Sequence, residues 1–276
     1  MKKNILSLAA LMLMAAPVMT SCSNDLDEVA PVEEAQKNVV TITLNVEQQA
    51  ETRVGLNSEF KLTSWVEGDK VMLYNNNSTG DSQGSLDGVG VEFVCTNISS
   101  GTFSGTLPTG KSLSDYNLAV YGATAEVVVY STNKYLTLRP EKYVSTDIND
   151  LVVMAGTFNG ESATLKIVNN IITLKNTSGA EVVATWYTPD YGGSWRDYIT
   201  WVRSAGIEAN IVAFDFATCP HYTIPTGECY LYMSPGYSTT LSLRTEGGIN
   251  VLPAKSLSNG TTGKLYNGGR FKGESR

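Results

Sequence analysis

The chain is poor in basic residues and has no basic cluster. Its 276 residues include 20 Lys and Arg against 27 Asp and Glu, which gives a formal net charge of −7. Proteins that bind nucleic acid concentrate positive charge on the surface that meets the phosphates. The composition therefore argues against nucleic acid as a partner.

Histidine is nearly absent, which restricts the catalytic and metal chemistry available. A Ser-His-Asp or Cys-His arrangement would have to use His221, the only histidine. Cys219, His221 and Cys229 imitate three zinc ligands, but a fourth ligand is missing and the Cys-x-His spacing is not typical of zinc. We therefore interpret this segment as a loop and predict no metal site.

Motifs for phosphate or dinucleotide binding are also missing, because no glycine-rich stretch has a strand–turn–helix context. A glycosidase would need two carboxylates that face one cleft, and the sequence gives no separation between its candidates. These candidates are Asp190, Asp197, Asp215 and Glu228. We predict a non-enzymatic protein without cofactor, and a hydrolase remains the third alternative.

Only one long apolar run occurs, from Ile5 to Val18 after Lys2 and Lys3. A short positive start followed by such a run is typical of an export signal. The alternative is a buried N-terminal helix, which would show an amphipathic period that this run lacks. Thr20 and Ser21 precede Cys22, and the segment resembles a bacterial lipoprotein signal.

That resemblance predicts cleavage of residues 1–21 and acylation of Cys22, because several acyl chains on one residue give a firm membrane anchor. Loss of 1–21 removes two lysines and no acid, so the net charge changes from −7 to −9. Residues 22–37 form an acidic, flexible tether. Its cluster Asp25, Asp27 and Glu28 resembles a surface-export signal of Gram-negative anaerobes, or else only solvates the tether.

The rest of the chain predicts an all-β protein. Helical periodicity is weak throughout, and short apolar segments alternate with turn residues at the spacing of β-sandwiches. In NVVTITLNVEQ (38–48), Val40, Ile42, Leu44 and Val46 share one face. A break near 145–162 predicts two tandem domains, 38–158 and 159–276.

Cysteines and aromatic residues provide two further hypotheses. Cys219 and Cys229 either pair across a hairpin or are small buried hydrophobic residues. Cys95 is expected in a strand core. The aromatic loop 186–201 contains Trp186, Tyr187, Tyr191, Trp195, Arg196, Tyr198 and Trp201.

Exposed aromatic rings beside polar groups suit a glycan or protein contact. We expect Trp186 and Trp201 in the core. Tyr191, Trp195 and Arg196 are then the candidate ligand contacts.

Several short motifs, taken in order over roughly residues 38–175, resemble the fimbrillin-like family of surface lipoproteins. They are Glu51-Thr52-Arg53, Trp65-x-x-Gly68-Asp69-Lys70-Val71 with Tyr74, Phe103-x-Gly105-x-Leu107-Pro108, Tyr116-x-x-Ala119-x-Tyr121, Asp150-Leu151-Val152 and Ala163-Thr164-Leu165-Lys166-Ile167. Gly68-Asp69 is expected as a turn and Trp65 as a core residue.

This resemblance implies two transthyretin-like β-sandwich domains and a pilus subunit at the cell outer membrane or in the fimbrium. A protease would cut after Arg53, strand 39–46 would leave, and a strand of another subunit would replace it. The C-terminal NGGRFKGESR has Phe271 as its only large apolar residue, which favours an anchor or tip role over a stalk role.

The expected partners are other pilus subunits, a host or bacterial surface protein or glycan, and outer-membrane lipid through Cys22. The alternative function is a surface glycan-binding lipoprotein that uses 186–201.

Overall fold

The structure of the chain is a computed structural model. It describes residues 38–47, 65–76, 88–130, 133–188, 194–203, 206–214, 221–234, 240–256 and 262–273. These all fall in one compact unit, Lys37–Arg276. The signal and tether, including Cys22, lie outside the described residues, as do Arg53, Tyr191 and Cys219.

Nineteen strands form the described part of the chain. The first ten are β1 (Val39–Val46), β2 (Lys70–Tyr74), β3 (Val91–Asn97), β4 (Thr102–Thr106), β5 (Leu118–Tyr121), β6 (Ala123–Tyr130), β7 (Asn133–Pro140), β8 (Val144–Ser145), β9 (Met154–Thr157) and β10 (Ser162–Ile167). The others are β11 (Asn170–Asn176), β12 (Val182–Thr188), β13 (Ser194–Arg203), β14 (Gly206–Phe214), β15 (Tyr222–Ile224), β16 (Gly227–Met233), β17 (Thr240–Arg244), β18 (Asn250–Ser256) and β19 (Leu265–Phe271).

The prediction of an all-β protein is confirmed. Within the described ranges, the only helices are two 3-10 turns, Leu113–Asp115 and Ile148–Leu151. The physical reason is local, since the strands are rich in the β-branched and aromatic side chains that pack well on a pleated surface. None of the helices in the described part of the chain has the length and apolarity needed to cross a membrane.

Seven strands form a sheet that closes on itself, in the order β1-β10-β9-β5-β2-β3-β4, with β4 paired back to β1. Its interior side chains form the first hydrophobic core. The largest fully buried members in this core include Ile42, Leu44, Leu73, Phe93, Phe103, Leu151, Met154 and Leu165.

The remaining strands form two further sheets, and β11, β12 and β15 to β19 contribute the buried side chains of a second core. One has the order β19-β11-β16-β8, and the other has the order β18-β17-β12-β13-β7-β6, with β14 paired to β13 and β15 paired to β12. This second core includes Ile172, Leu174, Trp186, Tyr222, Leu231, Leu243 and Leu252.

Sheet membership does not divide at residue 158. β6, β7 and β8 precede that residue but pair into the two other sheets, whereas β10 follows it and completes the closed sheet. The buried side chains of β6 and β7 nevertheless pack in the first core, through Ala123, Ala125, Leu136 and Leu138. Which strands pair depends on contacts between residues that are far apart in sequence, and local turn signals do not encode these contacts. The division at 158 and the transthyretin-like topology stay predictions.

A buried side-chain amide holds the connection between β10 and β11 in place. The side chain of Asn169 is fully buried; its Nδ2 donates to the carbonyl of Leu151 at 2.9 Å, and its Oδ1 accepts the N–H of Val153 at 2.9 Å. Its own backbone carbonyl accepts the N–H of Gly263 at 2.7 Å. Because buried amides need all these partners, Asn169 ties three distant segments together at this passage.

Candidate functional site

The candidate site is β1 and the slot that it fills in the closed sheet. Side chains of β1 alternate as predicted, with Ile42 and Leu44 buried at 2% and 0% exposure, and with Thr41, Thr43 and Asn45 exposed. Strict alternation places one set of side chains in the core and the other in solvent. The apolar face of β1 is therefore part of the first core.

Two different strands hold β1 along its length. β4 pairs antiparallel with residues Val39–Thr43, and β10 pairs parallel with residues Thr43–Val46. β1 therefore closes the ring by joining β4 to β10. Without it, both of these strands would present unpaired N–H and C=O groups.

Beyond Thr43, the side of β1 toward β4 is completed by a turn and a side chain instead of by strand pairing. The N–H of Leu44 donates to the carbonyl of Gly101 at 2.8 Å, and the carbonyl of Leu44 accepts the indole Nε1–H of Trp65 at 2.9 Å. Gly101 has φ +61, and a Cβ there would overlap the carbonyl oxygen of Leu44. Only glycine fits this close approach.

A tight turn after Trp65 positions its side chain against β1. The Asp69 carboxylate Oδ2 accepts the N–H of Val66 at 2.8 Å, and the N–H of Asp69 donates to the carbonyl of Val66 at 3.0 Å. Gly68 takes the left-handed φ of +90. The N–H of Cys95 donates to the carbonyl of Asp69 at 2.8 Å, which fixes the turn to β3.

The Trp65 ring is only 5% exposed, and it packs edge-on against Phe103 and Tyr121 at centroid distances of 4.9 Å and 5.7 Å. Burial, followed by the nearby Asp69 carboxylate, raises the pKa of Tyr121 to about 12. The prediction of a Gly68-Asp69 turn and a core Trp65 is confirmed. Sequence reasoning missed the indole hydrogen bond to β1, because its two partners are 21 residues apart.

The C-terminal strand is already engaged within the chain. β19 pairs parallel with β11, Phe271 is 6% exposed, and its carbonyl accepts the N–H of Thr177 at 2.7 Å. Asn267 Oδ1 accepts the N–H of Gly269 at 2.8 Å where the register shifts. Phe271 is thus a core residue of the second cluster.

The aromatic segment 186–201 is a hairpin with a short connection, which corrects its interpretation as one loop. β12 ends at Thr188 and β13 begins at Ser194, with Tyr187 paired to Trp195. Trp186 is buried, as expected. Arg196 lies in β13 opposite Ala213 of β14, and Trp201 lies in the same strand. β-Branched and aromatic residues favour strands, and that preference decides the conformation here.

One aromatic face of this hairpin is already covered. The guanidinium of Arg244 lies 4.0 Å from the ring centroid of Tyr187, while its Nε donates to Ser242 Oγ at 3.1 Å and Asn250 Oδ1 at 2.7 Å. That face of Tyr187 is therefore not free to stack on a sugar ring. The assignment of Tyr191, Trp195 and Arg196 as ligand contacts stays a prediction.

The cysteines of the described part are buried. Cys95 lies in β3 as expected, and burial raises the pKa of the Cys229 thiol in β16 to about 11. Because Cys219 lies outside the described residues, the Cys219–Cys229 disulfide stays a prediction.

Acidic and metal-ligating residues form no reactive cluster in the described ranges. His221 is exposed, and no three described His, Cys, Asp or Glu side chains come together in a way that could hold a metal. Glu228 forms an exposed ion pair with Lys175 at 3.0 Å across β11 and β16. Asp197 lies in β13, whereas Asp190 and Asp215 lie outside the described residues.

The fold thus defines a class: a nearly all-β protein whose first strand closes a sheet between two non-sequential neighbours. No protein-family model and no curated protein matches the chain. Among solved structures, a "putative cell adhesion protein" of Bacteroides ovatus has 10% identity and a TM-score of 0.38, covering 84% of this chain and 91% of its own. One of the same description from Bacteroides uniformis has 12% identity and a TM-score of 0.36, covering 84% and 93%.

The fimbrial anchor protein Mfa2 of Porphyromonas gingivalis has 12% identity and a TM-score of 0.32, covering 79% of this chain and 82% of its own. These neighbours are cell adhesion and fimbrial proteins, the kinds of protein that the fimbrillin-like resemblance names. Identities and TM-scores this low carry no argument about what the chain does.

Proposed function

We propose that the chain is a lipid-anchored cell-surface protein of the fimbrillin-like type, a pilus subunit that acts in assembly or adhesion by strand addition. Acylated Cys22 anchors it in the outer membrane, and its partners are other pilus subunits. A host or bacterial surface protein or glycan is a further partner at the exposed end. The proposal assigns no catalytic activity.

The observation that carries the proposal is the way β1 closes the sheet. β1 is the first strand, its apolar side chains Ile42 and Leu44 fill the core, and β4 and β10 hold it by main-chain hydrogen bonds. If β1 leaves, an apolar slot with two unpaired strand edges remains. An extended segment of a second chain satisfies such a slot by β-augmentation, in which main-chain bonds give affinity and alternate side chains give specificity.

The position of Arg53 makes removal of β1 chemically simple. Arg53 follows Val46, the last residue of β1, by seven positions and precedes Trp65. A single cut after Arg53 therefore separates β1 covalently from every other described strand. Only hydrogen bonds and apolar contacts then retain it.

The state of β19 favours a terminal role over a stalk role. A stalk subunit has to offer an alternating apolar strand to its neighbour, but Leu265–Phe271 is Gly-rich and pairs with β11 of its own chain. A subunit that accepts a strand without donating one ends a polymer. The chain is accordingly an anchor or a tip.

Intact mass and N-terminal sequence of the protein from its own cells test the proposal. An acylated start at Cys22 with Arg53 internal is expected of an anchor that keeps β1, whereas a start at Val54 is expected of a subunit that has lost it. Cys22→Ala should release the protein from the membrane fraction. Arg53→Ala should abolish the start at Val54, and Lys61→Ala in the same segment serves as the control. An unacylated chain inside the cell would contradict the proposal.

A further inference from the structure

The outer edge of β14, on the side away from β13, is a bare strand edge. β14 (Gly206–Phe214) pairs with β13 along its nine residues, and within the described ranges β13 is its only partner strand. We infer that this edge pairs with β14 of a second copy of the chain, antiparallel and across a two-fold axis at Asn210. The surface is separate from the β1 slot, and the inference does not rest on strand addition there.

β14 lacks the features that usually keep a strand edge from pairing. Proteins protect such edges with Lys or Pro, with bulges, with very short strands or with a covering segment. The sequence GIEANIVAF contains no Lys and no Pro, and Glu208 is its only charged residue. Its pairing with β13 shows no register shift. A long, regular edge of this kind is a template for another strand.

The outer strands of the other described sheet edges do carry protective features. β18 contains Pro253 and Lys255 and shifts register twice against β17. β19 has two adjacent glycines and a register shift, and β8 and β15 are two and three residues long. At β6, the N–H of Ala125 donates to the hydroxyl of Tyr74 at 2.9 Å. Among the described strands, the bare edge is therefore particular to β14, and its equal is β14 of another copy.

The apolar row of β14 is complementary to itself when two copies run antiparallel. With Asn210 on the axis, all nine residues of one strand lie opposite residues of the other. Ile207 then lies opposite Ala213, and Ala209 lies opposite Ile211. Each isoleucine thus meets an alanine, and facing large and small residues pack without voids or overlap.

The alternate row of β14 fits the same register. Gly206 lies opposite Phe214, and an aromatic residue across from a glycine in a strand compensates for its missing side chain. Asn210 lies opposite its own copy, and a side-chain amide offers both a donor and an acceptor. Glu208 lies opposite Val212, so no like charges meet.

Other registers lose this match. An axis at Glu208, or a parallel pair in register, places the two glutamates opposite each other, which is destabilising. An axis at Ala209 or Ile211 opposes isoleucine to isoleucine and alanine to alanine, and it leaves the strand ends unpaired. A shift of one residue puts the apolar row against the alternate row. A two-fold pair also uses the edge of both copies and leaves none for a third copy, so the assembly closes as a dimer.

Disulfide trapping tests the inference. The mature chain carries Cys22→Ser and Cys219→Ser, and the remaining Cys95 and Cys229 are buried. Asn210→Cys places two thiols opposite each other across the axis, within reach of a disulfide, and mild oxidation should give a covalent dimer. Glu208→Cys on the same edge is the matched control. Its two thiols are four residues out of step, about 14 Å apart along the strands and too far to bridge, so this variant should stay monomeric.

A mixture of two variants tests the register itself. Glu208→Cys and Val212→Cys lie directly opposite in the inferred pair, so the mixture should form a disulfide between the two variants that neither forms alone. If Asn210→Cys gives no covalent dimer, the inference is overturned. Equal cross-linking of Asn210→Cys and Glu208→Cys also overturns it, because that result is expected of random collisions.

A charge at the axis tests the dimer without a cross-link. Sedimentation velocity of the Cys22→Ser chain should show a concentration-dependent equilibrium between monomer and dimer. Asn210→Lys opposes two like charges and should weaken the dimer by about fivefold or more, whereas a mixture with Asn210→Asp should restore it. Thermal unfolding checks that both variants are folded.

A chain that stays monomeric at every concentration overturns the inference, as does an Asn210→Lys variant that dimerises as well as the wild type. The β1 slot takes no part in these measurements. Failure of the dimer therefore leaves the proposed function untouched, and failure of strand addition leaves the dimer untouched.

Discussion

The indole nitrogen of Trp65 lies 2.9 Å from the carbonyl oxygen of Leu44, and this side chain continues the pairing of β1 beyond the end of β4. Here an aromatic side chain donates the hydrogen bond that a neighbouring strand would otherwise donate. The contact joins the segment before β2 to the strand that closes the sheet.

Substitutions at Trp65 should separate the hydrogen bond from the packing. Trp65→Phe should lower the free energy of unfolding by about 1 kcal/mol for the lost donor. Trp65→Ala should lower it by about 3–5 kcal/mol, because the contacts with Phe103 and Tyr121 are lost as well. Urea denaturation measures both values. A Trp65→Phe variant as stable as the wild type would show that the hydrogen bond contributes nothing, and equal losses in the two variants would show that the ring packing contributes nothing.

Gly101→Ala should destabilise the chain by more than about 2 kcal/mol, because a Cβ would overlap the Leu44 carbonyl and the backbone has φ +61. Gly110→Ala is the matched control: Gly110 has φ +77 but nothing within 4 Å of a Cβ. It should cost only about 1 kcal/mol of backbone strain. Thermal unfolding compares the two variants. Similar losses of stability would mean that the close contact between Gly101 and the Leu44 carbonyl adds nothing to the cost of backbone strain.

Asn169→Ala should lower the free energy of unfolding by about 2–4 kcal/mol, because the buried N–H of Val153 and carbonyl of Leu151 lose their partners. Asn169→Asp keeps an acceptor for Val153 but turns a buried carboxylate oxygen toward the carbonyls of Leu151 and Asn170, so it should recover none of the loss at neutral pH. Asn149→Ala provides an exposed control, since its amide donates only to the nearby Asp147. Chemical denaturation of all three variants tests the prediction, and an Asn169→Ala variant as stable as Asn149→Ala would refute it.

Acid should remove the contribution of Asp150. Hydrogen bonds from Lys142 Nζ at 2.7 Å and Ser145 Oγ at 2.6 Å hold the pKa of this carboxyl below its usual value. A depressed folded-state pKa stabilises the chain above the unfolded pKa, and this stabilisation is lost as pH falls through the folded pKa. Asp150→Asn should therefore be less stable than the wild type at neutral pH.

The pH dependence of this difference supplies the test. The wild type and Asp150→Asn should converge in acid, and salt should shrink the small difference at neutral pH, because Lys142 is exposed. Urea midpoints at several pH values measure it. A difference that persists below the folded pKa would assign it to packing instead of charge.

Thiol counting should resolve the state of Cys219. The buried Cys229 thiol, whose pKa is raised to about 11, should resist alkylation at pH 8 in the folded chain. In a Cys22→Ser chain unfolded without reductant, a Cys219–Cys229 disulfide leaves only Cys95 reactive, whereas free thiols leave all three cysteines reactive. Mass spectrometry after alkylation distinguishes these outcomes.

Local sequence rules predicted the parts of the site that depend on neighbours along the chain. The alternation of Val40, Ile42, Leu44 and Val46 specified the buried face of β1, and Gly68-Asp69 specified a turn. The role of Trp65 depends on Leu44 across the fold. No periodicity encodes such a pairing, and only the three-dimensional register reveals it.

The correction at the aromatic segment also has a physical cause. Aromatic and β-branched residues around Trp195 were interpreted as an exposed loop, but the same residues favour strands, and two of them flank a short connection. The boundary near 158 rests on turn residues and stays a prediction, and the parallel pairing of β10 with β1 is a long-range contact that turn residues do not encode. Strand preference is local, but the choice of partner is not.

The parallel pairing of β1 with β10 also has a consequence for biogenesis. β1 is the first of the described strands to be synthesised, and it cannot complete its pairing until residues 162–167 have emerged and folded. Pairing that closes so long a loop is slow. We therefore expect a newly synthesised chain to pass through a state in which the rest of the sheet has formed and β1 has not yet docked. In such a nascent chain, the order of folding would itself expose the slot, without any cut in the chain.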